Sequence, residues 1–244
     1  MPVLHRLSPL FALSLALLTG CDLSLRHETL EFDDPTIVAL ALDGDSGDIT
    51  IIGDPDATQV TVEAAIHGRS TELRSSIDAG VLELGTHCAS GPWSNCAVDW
   101  TITVPTDLAA TLHTGSGDIE ASDLSGKLEL DTGSGDIVLS DLSSPTLDVE
   151  TGSGDVIGHA LACEDFEGSA GSGDLDLSLT TRPRRVAWKS GSGDIELSLP
   201  EGEYDLDIET GSGDVDLSGI GDDPDADSLL SLTTGSGDVS VEGR

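Results

Sequence analysis

Seven times between Gly115 and Asp238 the chain repeats Gly-Ser-Gly-Asp, with copies beginning at Gly115, Gly133, Gly152, Gly171, Gly191, Gly211 and Gly235. Successive Asp residues are 18, 19, 19, 20, 20 and 24 positions apart, and a looser copy, Asp45-Ser46-Gly47-Asp48, lies upstream. A near-constant period of this size marks a stacked repeat architecture. After each Asp, apolar and polar residues alternate, as in Ile137-Val138-Leu139-Ser140, Leu175-Asp176-Leu177-Ser178 and Val215-Asp216-Leu217-Ser218. A second alternating run, such as Leu147-Asp148-Val149-Glu150-Thr151 or Leu206-Asp207-Ile208-Glu209-Thr210, leads into the next corner. Alternation of this kind describes strands with one buried face.

Each period therefore supplies two short strands and two turns. One period cannot bury its own apolar edge, but a second stacked about 4.8 Å away extends two sheets and closes a core between them. The predicted fold is all-β: a β-solenoid, parallel β-helix-like, with two short strands per rung. The post-Asp pairs, Val215 and Leu217 included, face inward, as do sets such as Leu206, Ile208 and Thr210. Only seven aromatic residues occur, which suits a narrow bore. An up-and-down β-sandwich is the competing arrangement, and the same-phase repeat disfavours it. The corner needs backbone angles that a Cβ resists, so Gly recurs there.

Residues 1–20 stand apart. Arg6 precedes a short apolar stretch, Leu10 to Leu18, and Leu18-Thr19-Gly20-Cys21 follows. This reads as a secretory signal and resembles bacterial lipoprotein signals, which implies cleavage before Cys21 and lipidation of its thiol. Residues 21–36 form the lipidated tether. Residues 37–244 form a single solenoid domain, with an N-terminal cap and irregular rungs over 37–104 and regular repeats over 105–244. Solenoids need atypical end rungs to cover the open sheet edge. The chain as given ends soon after its seventh corner, which places a nearly bare edge, guarded by Glu242 and Arg244, at its C-terminal strand. That edge offers a surface for docking or self-association.

Without residues 1–20 the chain holds nine basic and 46 acidic residues, a net charge of −37. Such a surface repels nucleic acid and anionic lipid. Cys88 and Cys96 flank Ala-Ser-Gly-Pro-Trp-Ser-Asn, and in an oxidising compartment they are expected to form a disulfide. Cys163, near Leu161 and Phe166, is expected to be a buried, inert thiol.

The stretch Asp43-Gly44-Asp45-Ser46-Gly47-Asp48-Ile49-Thr50-Ile51, the run Trp100-Thr101-Ile102-Thr103-Val104-Pro105 and the Thr-Gly-Ser-Gly-Asp rungs together resemble the bacterial "putative adhesin" β-strand-repeat family over residues 37–244. That family is a domain of largely unknown function in secreted and membrane-attached proteins. The resemblance implies the fold and an envelope or adhesive role, and it brings no catalytic residues.

Asp118, Asp136, Asp155, Asp174, Asp194, Asp214 and Asp238 are expected to stack in one column. Adjacent carboxylates about 4.8 Å apart in water repel by roughly 0.9 kcal/mol, so something must offset them. Either each Asp caps its own Gly-Ser-Gly corner by accepting N–H groups, or the column holds a ladder of Ca²⁺ ions. Calcium-binding nonapeptide repeats have a related Gly-Gly-x-Gly-x-Asp core, but repeat every nine residues. Glu129, Asp131, Asp148, Glu150, Glu167, Asp207 and Glu209 make a second acidic face, interrupted by Arg182, Arg184, Arg185 and Lys189. That basic cluster reads as charge relief or as a contact for an acidic glycan or partner.

Gly44-Asp45-Ser46-Gly47 resembles the nucleophile motif of trypsin-like proteases, but no upstream His fits and the same letters recur as corners. The six His residues show no metal-ligand spacing. A polysaccharide-active β-helix enzyme is the catalytic alternative, yet turns are tight and only Trp93, Trp100, Trp188 and Tyr204 offer rings for sugar stacking. The sequence thus reads as a non-enzymatic, lipid-anchored bacterial envelope module for adhesion, interaction or structure, with an unidentified protein or glycan partner. A calcium-binding envelope protein is the alternative.

Overall fold

The computed structural model describes residues 25–68, 71–88 and 97–244. These form strands and turns, with no helix among the described residues. The N-terminal part supplies β1 (Leu25–Phe32), β2 (Ala39–Gly44), β3 (Ile49–Asp54), β4 (Val60–His67), β5 (Thr71–Asp78), β6 (Val81–Cys88) and β7 (Ala97–Pro105). The repeats then deliver strands in pairs, one on each side of a corner. These are β8 (Ala109–Thr114) with β9 (Ile119–Ser122), β10 (Leu128–Thr132) with β11 (Ile137–Ser140), and β12 (Thr146–Ser153) with β13 (Val156–Leu161). Next come β14 (Asp165–Ser172) with β15 (Leu175–Leu179), β16 (Arg185–Ser190) with β17 (Ile195–Leu199), and β18 (Gly202–Thr210) with β19 (Val215–Ser218). After the short β20 (Ile220–Asp222), β21 (Leu229–Thr234) and β22 (Val239–Gly243) complete the series.

The strands form two sheets of 11, and the repeat strands pair in parallel with corner aligned on corner. The predicted β-solenoid is therefore the fold. Its interior is a continuous stack of inward aliphatic residues: Leu128, Ile137, Leu139, Leu147, Val149, Leu177 and Ile195 have no exposed surface. Burying each such side chain contributes roughly 1.5–3 kcal/mol. At one level a neighbouring rung makes room for a large ring. Trp188 packs over Gly168, where a Cβ would lie 2.8 Å from the ring, and Phe166 lies beside it with ring centroids 6.2 Å apart.

The order of rungs departs from the order of the chain at both ends. In the first sheet β9 stacks on β3, and β7, β4 and β1 continue beyond β3, with β4 antiparallel to both neighbours. Leu25–Phe32, expected in the tether, thus form an edge strand, because Leu30 and Phe32 pack against the core. In the second sheet β6 follows β2 and the antiparallel β5 closes that edge.

At the other end the last two repeats exchange places. β21 lies between β16 and β18, and β22 lies between β17 and β19. The final strand is therefore internal, and the edge expected there is formed by β19 instead. The physical reason is that all corners are alike, so any rung can seat on any other. Val215 and Leu217 consequently miss the burial expected of them, at 44% and 41% exposed, while Val239 and Val241 are 1% exposed. Leu206 and Ile208 are only half-buried.

The exchange requires the chain to cross itself between Pro200 and Ser228, and Tyr204 locks that crossing. Its ring is buried, its hydroxyl donates to the Pro200 carbonyl (2.6 Å), and the Arg182 guanidinium stacks on it at 4.0 Å. Arg182 also donates to Ser228 Oγ and to the Glu203 carbonyl.

Candidate functional site: a carboxylate column on a solenoid face

The third residue of each corner is a glycine with positive φ: Gly47, Gly117, Gly135, Gly154, Gly173, Gly193, Gly213 and Gly237 all lie between +114° and +157°. A Cβ at Gly154 would also sit 1.9 Å from the Gly135 carbonyl oxygen, inside contact distance. Glycine here is thus demanded twice, by the backbone angle and by the rung below.

These corners align the Asp side chains in one column, as the sequence led us to expect, but the hydrogen bonding differs. Except at the terminal Asp214, each Oδ1 accepts the backbone N–H of the Asp in the adjacent rung, not an N–H of its own corner. Asp118 bonds the N–H of Asp136, Asp136 that of Asp155, Asp155 that of Asp174, and Asp174 that of Asp194, at 2.8–2.9 Å. The ladder then follows spatial order: Asp194 accepts from Asp238, and Asp238 from Asp214. At the other end Asp48 accepts from Asp118, and Asp99 from Asp48. Asp99 begins the column without any Gly-Ser-Gly motif, and the sequence carried no signal for it. Its other oxygen lies 2.9 Å from His67 Nε2.

A second ladder runs inside the corner and was not anticipated. Buried Thr132, Thr151 and Thr234 donate their hydroxyls to the carbonyls of Gly117, Gly135 and Gly193 in the adjacent rung. The available signal was Thr immediately before five of the seven corners. Charge-assisted bonds outside thus tie corner to corner, and hydroxyl bonds inside reinforce them except at the corner preceded by Ala170.

Beside the column runs a second outward row in which Asp176, Glu196, Ser240 and Asp216 are in register, preceded by Val138 and Ile157. A shallow groove of about 270 Å³ between the two rows is lined by Asp155, Ile157, Asp174, Leu175, Asp176, Asp194 and Glu196. Among the described residues, no three His, Cys, Asp or Glu side chains converge as a metal site would require.

The other sheet carries the second acidic face. Glu129, Asp148 and Glu167 are directly adjacent on β10, β12 and β14. Partial burial, then the Glu129 and Glu167 charges, push the Asp148 carboxyl above its usual range, with Lys127 opposing. The basic cluster divides by role. Arg184 pairs with Asp165 and Arg185 with Glu167, which relieves charge, while Arg182 serves the Tyr204 crossing.

Cys163 is a free, buried thiol, its pKa pushed up to about 12 by burial and by the Asp165 charge, as inertness requires. Trp100 and Trp188, considered above as sugar-stacking rings, are core residues, and Tyr204 is buried with them. Trp93, Cys21 and Cys96 lie outside the described residues, as does the side chain of Cys88, so the lipidation and disulfide expectations fall there too.

Fold and column together define a class: a two-sheet parallel β-solenoid whose corners are tied by carboxylate-to-amide bonds. A model of the Toastrack DUF4097 family matches residues 106–242, more than half of the chain, and the chain belongs to that family. No curated protein matches the chain. Among solved structures, a "putative adhesin" from Bacteroides fragilis is 16% identical, with a TM-score of 0.53 over 89% of this chain and 97% of its own. A "putative lipid binding protein" from Parabacteroides distasonis is 13% identical, with a TM-score of 0.52 over 88% and 96% respectively. Identities this low establish a shared fold and nothing finer.

Proposed function

We propose that this protein is a non-enzymatic interaction or adhesion module of the bacterial cell envelope, lipid-anchored through Cys21. The observation that carries the reading is the continuous ladder of corners, which makes the solenoid a stiff body that holds two carboxylate-rich faces in fixed register. Surfaces of that kind suit multivalent contact with a cationic or hydroxyl-rich partner. Family membership and the fold shared with the Bacteroides fragilis protein support the same reading, and the lipobox-like Leu18-Thr19-Gly20-Cys21 supports the anchor. The packed interior argues for binding on faces rather than within the body.

The test has two arms. Cys21→Ser should move the protein from the membrane to the soluble fraction of an expressing bacterium. Beads bearing residues 22–244 should adhere to arrayed envelope glycans or proteins. A Cys21→Ser protein that stays in the membrane would refute the anchor, and beads that adhere to nothing would refute the adhesive role.

A second reading, calcium binding along the Asp column, is favoured by the groove between Asp155, Asp174, Asp176, Asp194 and Glu196. Calorimetric titration with Ca²⁺ decides it: saturable heat at millimolar or tighter affinity supports the metal, and its absence removes it.

A further inference from the structure

The two ends of the solenoid are finished differently. At one end antiparallel β1 and β5 close the sheets. At the other, β19 is the last strand of its sheet and runs parallel to β22, with nothing beyond it among the described residues. In each rung below, the third corner glycine and the residue after Asp donate their N–H groups to the next rung. Gly193 and Ile195 donate to Ser236 and Asp238 carbonyls, and Gly237 and Val239 to those of Ser212 and Asp214. In the terminal rung the same positions are Gly213 and Val215, whose donors face an open edge. Val215 and Leu217 flank that edge, each more than 40% exposed although every counterpart in the rungs below from β9 to β22 is buried or is Gly158. The terminal rung thus offers main-chain donors and an apolar strip together, the two components of strand addition.

The charge around the edge selects the occupant. Between Glu201 and Asp222 stand eight acidic residues and no basic one, and no Lys, Arg or His occurs from Ser190 through Gly243. A second copy docking by the same end would set Asp214 and Asp216 against their own kind. A copy docking by its other end would bring β1 and β5, where Arg26 is outweighed by Glu28 and Glu31, and Arg74 by Glu72 and Asp78. Like charge disfavours both arrangements.

We propose that β19 is a strand-addition site for an extended segment of another protein in which apolar residues alternate with Lys or Arg. The apolar residues cover Val215 and Leu217, the basic ones meet Asp214 and Asp216, and the incoming main chain takes up the donors of Gly213 and Val215. This site lies at the open end of the stack, where the carboxylate column and the row beside it end in Asp214 and Asp216, and it does not depend on the lipid anchor.

The probe is a synthetic peptide alternating valine and lysine, with a valine–glutamate peptide of equal length as control. Binding is followed by fluorescence anisotropy, and the site is mapped by amide hydrogen exchange on the unmodified protein. The expected result is saturable binding of the lysine peptide alone, with new protection at Gly213, Val215 and Leu217. A Val215→Lys/Leu217→Lys variant, which alters only exposed positions, should bind at least about tenfold more weakly. No binding, protection centred on the carboxylate column of β9–β17, or undiminished binding by the variant would each overturn the proposal. So would a chain that dimerises through β19 at neutral pH without the peptide, because the occupant would then be a second copy.

Discussion

Asp155 sits in the middle of the column, and two substitutions there separate its charge from its hydrogen bond. Its Oδ1 accepts the Asp174 N–H at 2.8 Å, and its own N–H donates to Asp136 Oδ1 at 2.8 Å. Asp136 and Asp174 stand one rung away on either side, at about 4.8 Å, and repel it by roughly 0.9 kcal/mol each in water. Physiological salt reduces the pair of terms to about 1 kcal/mol. Asp155→Asn keeps an acceptor oxygen and removes that repulsion, so the weaker neutral bond and the relief nearly cancel. Its stability should lie within about 0.5 kcal/mol of the native chain. Asp155→Ala gains the same relief but loses the acceptor, at a cost of about 1 kcal/mol. The Asn and Ala variants should therefore differ by about 1 kcal/mol, or roughly 2–4 °C in melting temperature for a chain of this size. Thermal unfolding by circular dichroism measures the difference. If Asn and Ala melt together, the carboxylate-to-amide bond does not hold the rungs, and the ladder as described is wrong.

Other expectations follow from single contacts. Gly154→Ala places a Cβ on the Gly135 carbonyl at a φ of +155°, and should cost about 3 kcal/mol or more from backbone strain and separated rungs, seen as a lower denaturant midpoint. The raised Asp148 carboxyl means that the folded state binds its proton more tightly than the unfolded chain does. Its unfavourable contribution therefore grows as pH rises through the folded value and vanishes below the unfolded one, so Asp148→Asn should stabilise the protein at neutral pH but not at strongly acidic pH. Cys163, with its thiol at about 12, should be alkylated at mildly alkaline pH at least about a thousandfold more slowly than a free thiol, and at the ordinary rate once unfolded. Arg182→Ala removes the guanidinium over Tyr204 and the bonds to Ser228 and Glu203. Hydrogen exchange should then accelerate over residues 200–228 before it changes in β10–β15.

Much of the fold was legible because alternation and corner repeat at one phase. Ile137, Leu139, Leu147 and Val149 could be assigned inward from spacing alone, and they are wholly buried. What spacing cannot convey is which rung lies on which. Every corner presents the same glycine carbonyl and the same Asp, so the β21–β22 rung seats between its predecessors as readily as beyond them. The one trace in the sequence is the 24-residue step from Asp214 to Asp238, whose extra length spans the return past Tyr204. The burial of Val215 and Leu217 was misjudged for the same reason: alternation reports the face of a strand, not whether another rung covers it. The Asp column was legible as a column, but its bonding partner was not, because an acceptor is visible in sequence and the rung that supplies the donor is not. Asp99 lay outside the motif altogether.

The most direct test of the ladder as a self-sufficient structural device is thermal melting of residues 22–244 in Ca²⁺ and in EDTA at equal ionic strength. Rungs held by carboxylate-to-amide bonds should melt at the same temperature in both, and Mg²⁺ should behave like Ca²⁺. A rise of many degrees specific to Ca²⁺, abolished by Asp155→Asn, would contradict this and make the column a metal site.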